Sequence, residues 1–244
     1  IDPSTLSDQE LLDLLEGIES HRMHAVRPVA IFGIPSGFGA APGIGFVAIA
    51  GTNRRDRRRE GDWDGSLAFG LGFGDPVRGI GVTPIVDVTS VSPYHFGSSG
   101  KIGVTLSRAV SFGPGWSGSV GLSLENLVRW GDSSVLDPEA SLAVSAVHGL
   151  GNGMPLMLSA GYGTGVSDGG RDDGGFLGIG LGIAPKAAVG VGWYGDEAVG
   201  GATFWPGERG NMQISVGIGD MTDRVSGRRL LLAVSLAGPL SRTR

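Results

Sequence analysis

Along most of this chain, apolar and small residues alternate with a period of two. In "DGSLAFGLGFGDP" (64–76), Leu67, Phe69, Leu71 and Phe73 share one parity, while Ser66, Ala68, Gly70 and Gly72 share the other. That period predicts a strand with two unlike faces. It recurs in Ile102/Val104/Leu106, Leu156/Leu158/Ala160/Tyr162, Leu177/Ile179/Leu181/Ile183, Ile214/Val216/Ile218 and Leu230/Leu232/Val234/Leu236, with Gly, Ser, Ala and Thr on the opposite parities. Twelve strands are predicted, over 43–52, 63–74, 78–90, 100–109, 117–129, 139–148, 155–163, 175–184, 187–194, 197–205, 211–220 and 229–239.

The connections alternate as well. Long polar ones ("TNRRDRRREGDWDG", "VSPYHFGSS", "GDSSVLDPE", "GTGVSDGGRDDGG") take turns with short ones ("GDPV", "SFGPGW", "GLGNGM", "APK"), a regularity that weakens after residue 187. Up-and-down outer-membrane barrels have this asymmetry.

The small-residue parity decides which face meets water. A soluble sheet turns its apolar parity inward and carries charge on the other. Here the other parity is Gly, Ser and Ala, and the charges collect in the loops. Turning the apolar parity to lipid and the small parity to an enclosed interior removes the difficulty, because closure leaves no backbone edge in hydrocarbon. The expected fold is therefore all-β, a transmembrane up-and-down antiparallel β-barrel of about 12 strands with an N-terminal amphipathic helix. A soluble β protein is the alternative. Aromatics at 7% are thin for two interfacial girdles, and a polar tail follows Leu240.

Composition narrows the class. Of 244 residues 46 are glycine, without the collagen period, and there is no cysteine, which excludes disulfides and Cys-based metal sites or nucleophiles. A net charge of −5 argues against a general nucleic-acid binder. The chain opens on Ile1 with neither methionine nor an apolar leader, which fits a removed signal peptide and export to the outer membrane.

The N-terminus differs in period. In "SDQELLDLLEGIESHRMH", Ser7 and Glu10 form a capping box, and Leu11, Leu12, Leu14, Leu15 and Ile18 share a face, predicting a helix over 8–19. Three regions follow: residues 1–24, a helix packed on its own domain or serving as a plug or dock for a periplasmic partner; 25–42, a Pro/Gly-rich connector; and 43–244, the barrel.

Four stretches, "PSGFGAAPG" (35–43), "DGSLAFGLGFGDP" (64–76), "GSVGLSLENLVRWG" (118–131) and "WYGDEAVGGATFWP" running to "ISVGIGDMTD" (193–223), resemble in order and spacing the Gly-rich outer-membrane β-barrel proteins of cyanobacteria and other bacteria. The resemblance implies a barrel in an outer membrane and carries no active site. The chain departs from that pattern in its non-aromatic final strand, "LLLAVSLAGPLSRTR", and in its N-terminal helix.

With long loops outside, the first strand runs outward and both termini lie in the periplasm. Polar residues on the inner parity then become candidates. Asp87, Lys101 and Glu125 sit in consecutive strands toward the long-loop end, and Gln213 lies on a later one. A 109–117 turn symmetric about its middle would set Lys101 opposite Glu125. These charges form either a constriction that selects solutes or a salt bridge that stiffens the wall. In "NRRDRRRE" (53–60), Arg54, Arg55, Arg57, Arg58 and Arg59 are suited to phosphates, as in lipopolysaccharide; the blander reading is a solvated loop balanced by Asp62, Asp64 and the acids of 171–173.

His148 follows Leu142, Val144 and Ala146 on the lipid parity, with Ser145 and Ser159 in neighbouring strands; an outer-membrane lipid hydrolase would need His148 within reach of a serine. An interfacial histidine is the simpler reading, so no catalysis is expected. His21 and His24 lack a third ligand, so no metal is expected, and no stretch has the spacing of a phosphate or cofactor loop. The expected function is a pore for small polar solutes. The alternative is a non-conducting structural barrel that anchors an envelope assembly through its N-terminal segment, and a lumen packed by residues 1–42 would mark it.

Overall fold

The computed structural model describes residues 29–53, 63–150, 154–207, 210–225 and 227–240. The helix expected over 8–19, the region 1–24 that carries it, and Arg54, Arg55, Arg57, Arg58 and Arg59 lie outside these residues.

The strands are β1 (Ile44–Asn53), β2 (Trp63–Leu71), β3 (Phe73–Gly74), β4 (Gly81–Val88), β5 (Gly100–Ser111), β6 (Trp116–Trp130), β7 (Glu139–Gly149), β8 (Pro155–Ser167), β9 (Asp172–Ala184), β10 (Ala187–Tyr194), β11 (Glu197–Phe204), β12 (Met212–Gly219) and β13 (Arg229–Pro239). β2 and β3 are two parts of one barrel strand. They part at Gly72, where Pro42 approaches, and both pair with β4. Each strand pairs antiparallel with its sequence neighbour, and β13 pairs with β1, which closes a barrel of 12 strands. The predicted strands are present, with boundaries moved by a few residues.

The apolar parity faces outward. Ile49, Leu142 and Leu177 are 53%, 51% and 60% exposed. Thr83, Ser107, Ser145 and Ser159, on the other parity, are buried. This inversion of the soluble pattern is what a hydrocarbon solvent demands: apolar groups lie outside, and every strand is paired so that its amides are satisfied.

Six exposed or half-buried aromatics stand near the two rims, the positions that interfacial girdles take. Phe73, Trp116 and Phe204 lie at the short-turn end, and Trp130, Tyr162 and Trp193 toward the other. Trp130 donates to Gly97 O at 3.0 Å, and the Arg224 guanidinium lies 5.8 Å from the Trp193 ring centre.

Loops 89–99, 131–138 (with a short 3-10 helix at Gly131–Val135) and 220–228 cluster at one end, and turns 75–80, 112–115 and 185–186 at the other. In the 75–80 turn the Asp75 carboxylate accepts the amides of Arg78 at 3.1 Å and Val77 at 2.9 Å. These bonds, that from Arg78 foremost, hold its carboxyl below the usual carboxylate range.

The apolar core lies inside the barrel. Ile34 packs with Ala143, Val166, Phe176 and Val199, flanked by Ile31 and Tyr194. Ile34 belongs to the region expected to be a connector. Residues 30–41 of that region are lodged in the lumen.

Candidate functional site

Residues 30–41 run around the inner wall from β12 to β2. Phe32 packs where a side chain on Gly201 or Gly217 would stand, and Ile31 and Ile34 fill the space above Gly178. The carbonyl of Ala30 occupies the space that a Cβ on Gly180 would take. Next, Ser159 of β8 donates to Pro35 O at 2.7 Å, and Ser119 of β6 donates to Gly37 O at 2.6 Å. The Gly37 amide donates to Ser145 of β7 at 2.9 Å, and the Ala40 amide donates to Thr83 of β4 at 3.0 Å.

The small parity is therefore a seat. At Gly121 an added Cβ would lie 2.7 Å from Gly37 O, so chain and wall touch backbone to backbone. Hydroxyls supply the partners that an extended segment with no ladder of its own lacks. Sequence reasoning read this parity as lumen lining and 25–42 as a connector, and considered a lumen packed by residues 1–42 only under the alternative of a structural barrel. The available signal was the coincidence of inward Ser and Thr with a Pro/Gly-rich stretch too irregular to be a strand.

Asp87, Lys101, Glu125 and Gln213 all face the lumen. Asp87 stands opposite Lys101 across the β4–β5 ladder. Lys101 Nζ lies 3.2 Å from Glu125 Oε2, with the two side chains 23% and 53% exposed. The register expected for this pair is corrected: Lys101 stands opposite Arg129. The turn is centred on Pro114, since Ser111 pairs with Ser117, and a bulge between Ile102 and Val104 shifts the ladder further. Asn126, at φ 57°, marks the distortion on β6. The lysine reaches diagonally across it to Glu125. Glu125 in turn stands opposite Glu139 on β7.

Other charges gather toward the long-loop end. Arg229 pairs with Glu197, and the Arg129 guanidinium donates to Leu136 O. Gln213 is remote from this group. It lies near the short-turn end of β12 and donates to Ser215 Oγ at 3.3 Å.

Among the described residues, the segment leaves one side of the bore unfilled. A cavity of about 630 Å³ lies against β13, β1, β2 and β4. Its lining runs from Thr52, Asp64 and Thr89 near the long-loop end to Thr203 and Gln213 near the short-turn end. Asp87 and Lys101 line it too; Ile31 and Phe32 of the segment form its inner side.

His148 projects to the lipid side. It stacks on Trp116 with ring centres 4.6 Å apart, and its Nδ1 lies 2.8 Å from Gly115 O. Ser145 and Ser159 point into the lumen and bond each other at 2.8 Å. The wall separates histidine from serines, so these residues assemble no nucleophile–base pair. Among the described residues, no group of three or more His, Asp or Glu could hold a metal ion.

The closed barrel has counterparts among solved structures. The COG4313 outer membrane channel from Pseudomonas putida F1 aligns with a TM-score of 0.52 at 13% identity, covering 86% of this chain and all of that one (100%). The KdgM porin aligns at 0.51 and 13% identity, covering 78% and 98% of the two chains. The chain has the fold of these outer-membrane barrels. A second KdgM porin structure, in complex with disordered oligogalacturonate, gives 0.50 at 13% identity over the same shares of 78% and 98%. No protein-family model and no curated protein matches the sequence.

Proposed function

We propose that this protein is a passive outer-membrane pore for small polar solutes whose bore is narrowed by its own residues 30–41 to one passage beside β13, β1, β2 and β4. The observation that carries this reading is the cavity of mixed polar and apolar lining, which extends from Thr52 and Thr89 near one end to Gln213 near the other. Asp87 and Lys101 are its constriction charges, acting as charged rings do in pores. In this orientation the short turns and both termini face the periplasm. Arg54, Arg55, Arg57, Arg58 and Arg59 then join β1 to β2 on the outer side, available to lipopolysaccharide phosphates. The narrower kinship with Gly-rich cyanobacterial barrels rests on the four stretches quoted above. The oligogalacturonate of the one complex is not carried over, because 13% identity speaks for the fold alone.

A second reading is favoured by the seat itself. Four strands hold the segment through hydroxyls, which suits a structural barrel anchoring an assembly through its N-terminus. Single-channel recording in planar bilayers separates the two, using the full chain beside a chain lacking residues 1–42. The pore reading expects a small steady conductance that rises several-fold on deletion. Silence from the full chain, with insertion confirmed, overturns it and leaves the anchor.

A further inference from the structure

The cavity has two chemically different sides. Ile31, Phe32 and Leu231 make one side apolar. On the other, Asp87 enters from β4, and its Oδ1 has no hydrogen-bond partner. Among the described residues that line the cavity Lys101 is the one base, and its ammonium lies 3.2 Å from Glu125. Among the described residues Asp87 makes no ion pair. Ser66 donates to the Asp87 carboxylate and Lys101 attracts it from across the ladder, but Oδ1 still lacks a partner; a carboxylate oxygen only accepts hydrogen bonds, so a cationic donor completes it.

We propose that the cavity takes a small amphipathic cation, its ammonium or guanidinium group on Asp87 and its apolar body against Phe32, Ile31 and Leu231. The assignment rests on the pore reading for its route of access and names the solute class of that passage. The volume of about 630 Å³ lies within the range of sites that enclose a small organic molecule. An anion of the same shape meets Asp87 as a like charge, while the nearest compensating base is already engaged. The mixed lining also sets this site apart from a simple cation filter, since inorganic cations gain nothing from Phe32 and Leu231.

The test uses two probes of matched shape, 2-phenylethylammonium and 3-phenylpropionate, with methylammonium as the cation that lacks an apolar body. Each is titrated calorimetrically into the detergent-solubilised full chain, and bilayer currents are recorded in salts of each. The expected result is at least tenfold tighter binding of 2-phenylethylammonium than of either other probe, with the preference over 3-phenylpropionate erased in Asp87→Asn. Equal binding of the two phenyl probes overturns the inference, as does a preference that survives in a folded Asp87→Asn. The wild-type ratios decide by themselves if that variant does not fold. Tight cation binding without current overturns the pore reading and keeps the ligand class; current without the binding preference does the reverse.

Discussion

The backbone amide of Gly37 donates to the hydroxyl of Ser145 at 2.9 Å, joining residues 108 positions apart. Ser145 is completely buried (0% exposed) and also bonds Ser159, so one hydroxyl ties the luminal segment to two adjacent strands. Replacing it with valine strands the Gly37 amide against the wall. The expected cost is about 1–3 kcal/mol, the penalty of a buried unpaired amide. A lower denaturant midpoint for the detergent-solubilised barrel checks this, and an unchanged midpoint would show that the segment is not held by that bond.

Gly37 should tolerate no side chain. An added Cβ would lie 2.9 Å from Ala143 O and closer still to Ser119 O, both of them backbone atoms in paired strands. Gly37→Ala is expected to unseat the segment while the barrel stays folded. Conductance should then approach that of the chain lacking residues 1–42. Gly149→Ala is the control, since nothing lies within 4 Å of its Cβ position. Its stability should stay within about 0.5 kcal/mol of the parent.

The Lys101–Glu125 pair predicts a selectivity effect without a matching stability effect. Its side chains are 23% and 53% exposed, so water screens the attraction, and Lys101→Met should cost no more than about 1 kcal/mol. Removing the positive charge from the passage leaves Asp87 in command. Reversal potentials in a salt gradient should therefore move toward cation selectivity. A shift toward anions would mean that Lys101 does not face the permeation path.

Asp220 organises the β12–β13 loop. It is fully buried (0% exposed), and its carboxylate accepts the amides of Arg224 at 2.8 Å, Val225 at 2.9 Å and Gly227 at 3.1 Å. Asp220→Ala orphans these amides, and each one still shielded from water costs roughly 1–3 kcal/mol. The loop should then open before the barrel does. Limited proteolysis should cut within 220–228, with the heat-resistant migration of the barrel on a gel retained.

His148→Ala should leave conductance unchanged, because the ring lies on the lipid face against Trp116. Lipid turnover by the purified chain should be absent before and after the substitution. Turnover lost in the variant would revive the hydrolase reading.

Much of the fold was legible in the sequence. Leu67, Phe69, Leu71 and Phe73 announced a strand with one apolar face, and the small residues opposite them could not have solvated a soluble surface. The inward placement of Asp87, Lys101, Glu125 and Gln213 followed from parity alone. Register was harder. Symmetry about the middle of 109–117 missed because the turn is centred on Pro114 and because a bulge, set by local backbone geometry at Gly103 and Asn126 and leaving no periodic trace, shifts the ladder again.

What the sequence determined by itself is the barrel: alternation fixes which side of each strand meets lipid, because hydrocarbon rejects every polar parity in the same way along the whole chain. What only the tertiary structure decided is the content of the bore. The seat for residues 30–41 takes Thr83 from β4, Ser119 from β6, Ser145 from β7 and Ser159 from β8, and none of these marks a site in its own strand. Closure of the sheet brings them onto one inner wall, where they meet the amides and carbonyls of a segment that has no ladder of its own. The same closure leaves Asp87 facing a cavity, which parity could point toward and could not measure.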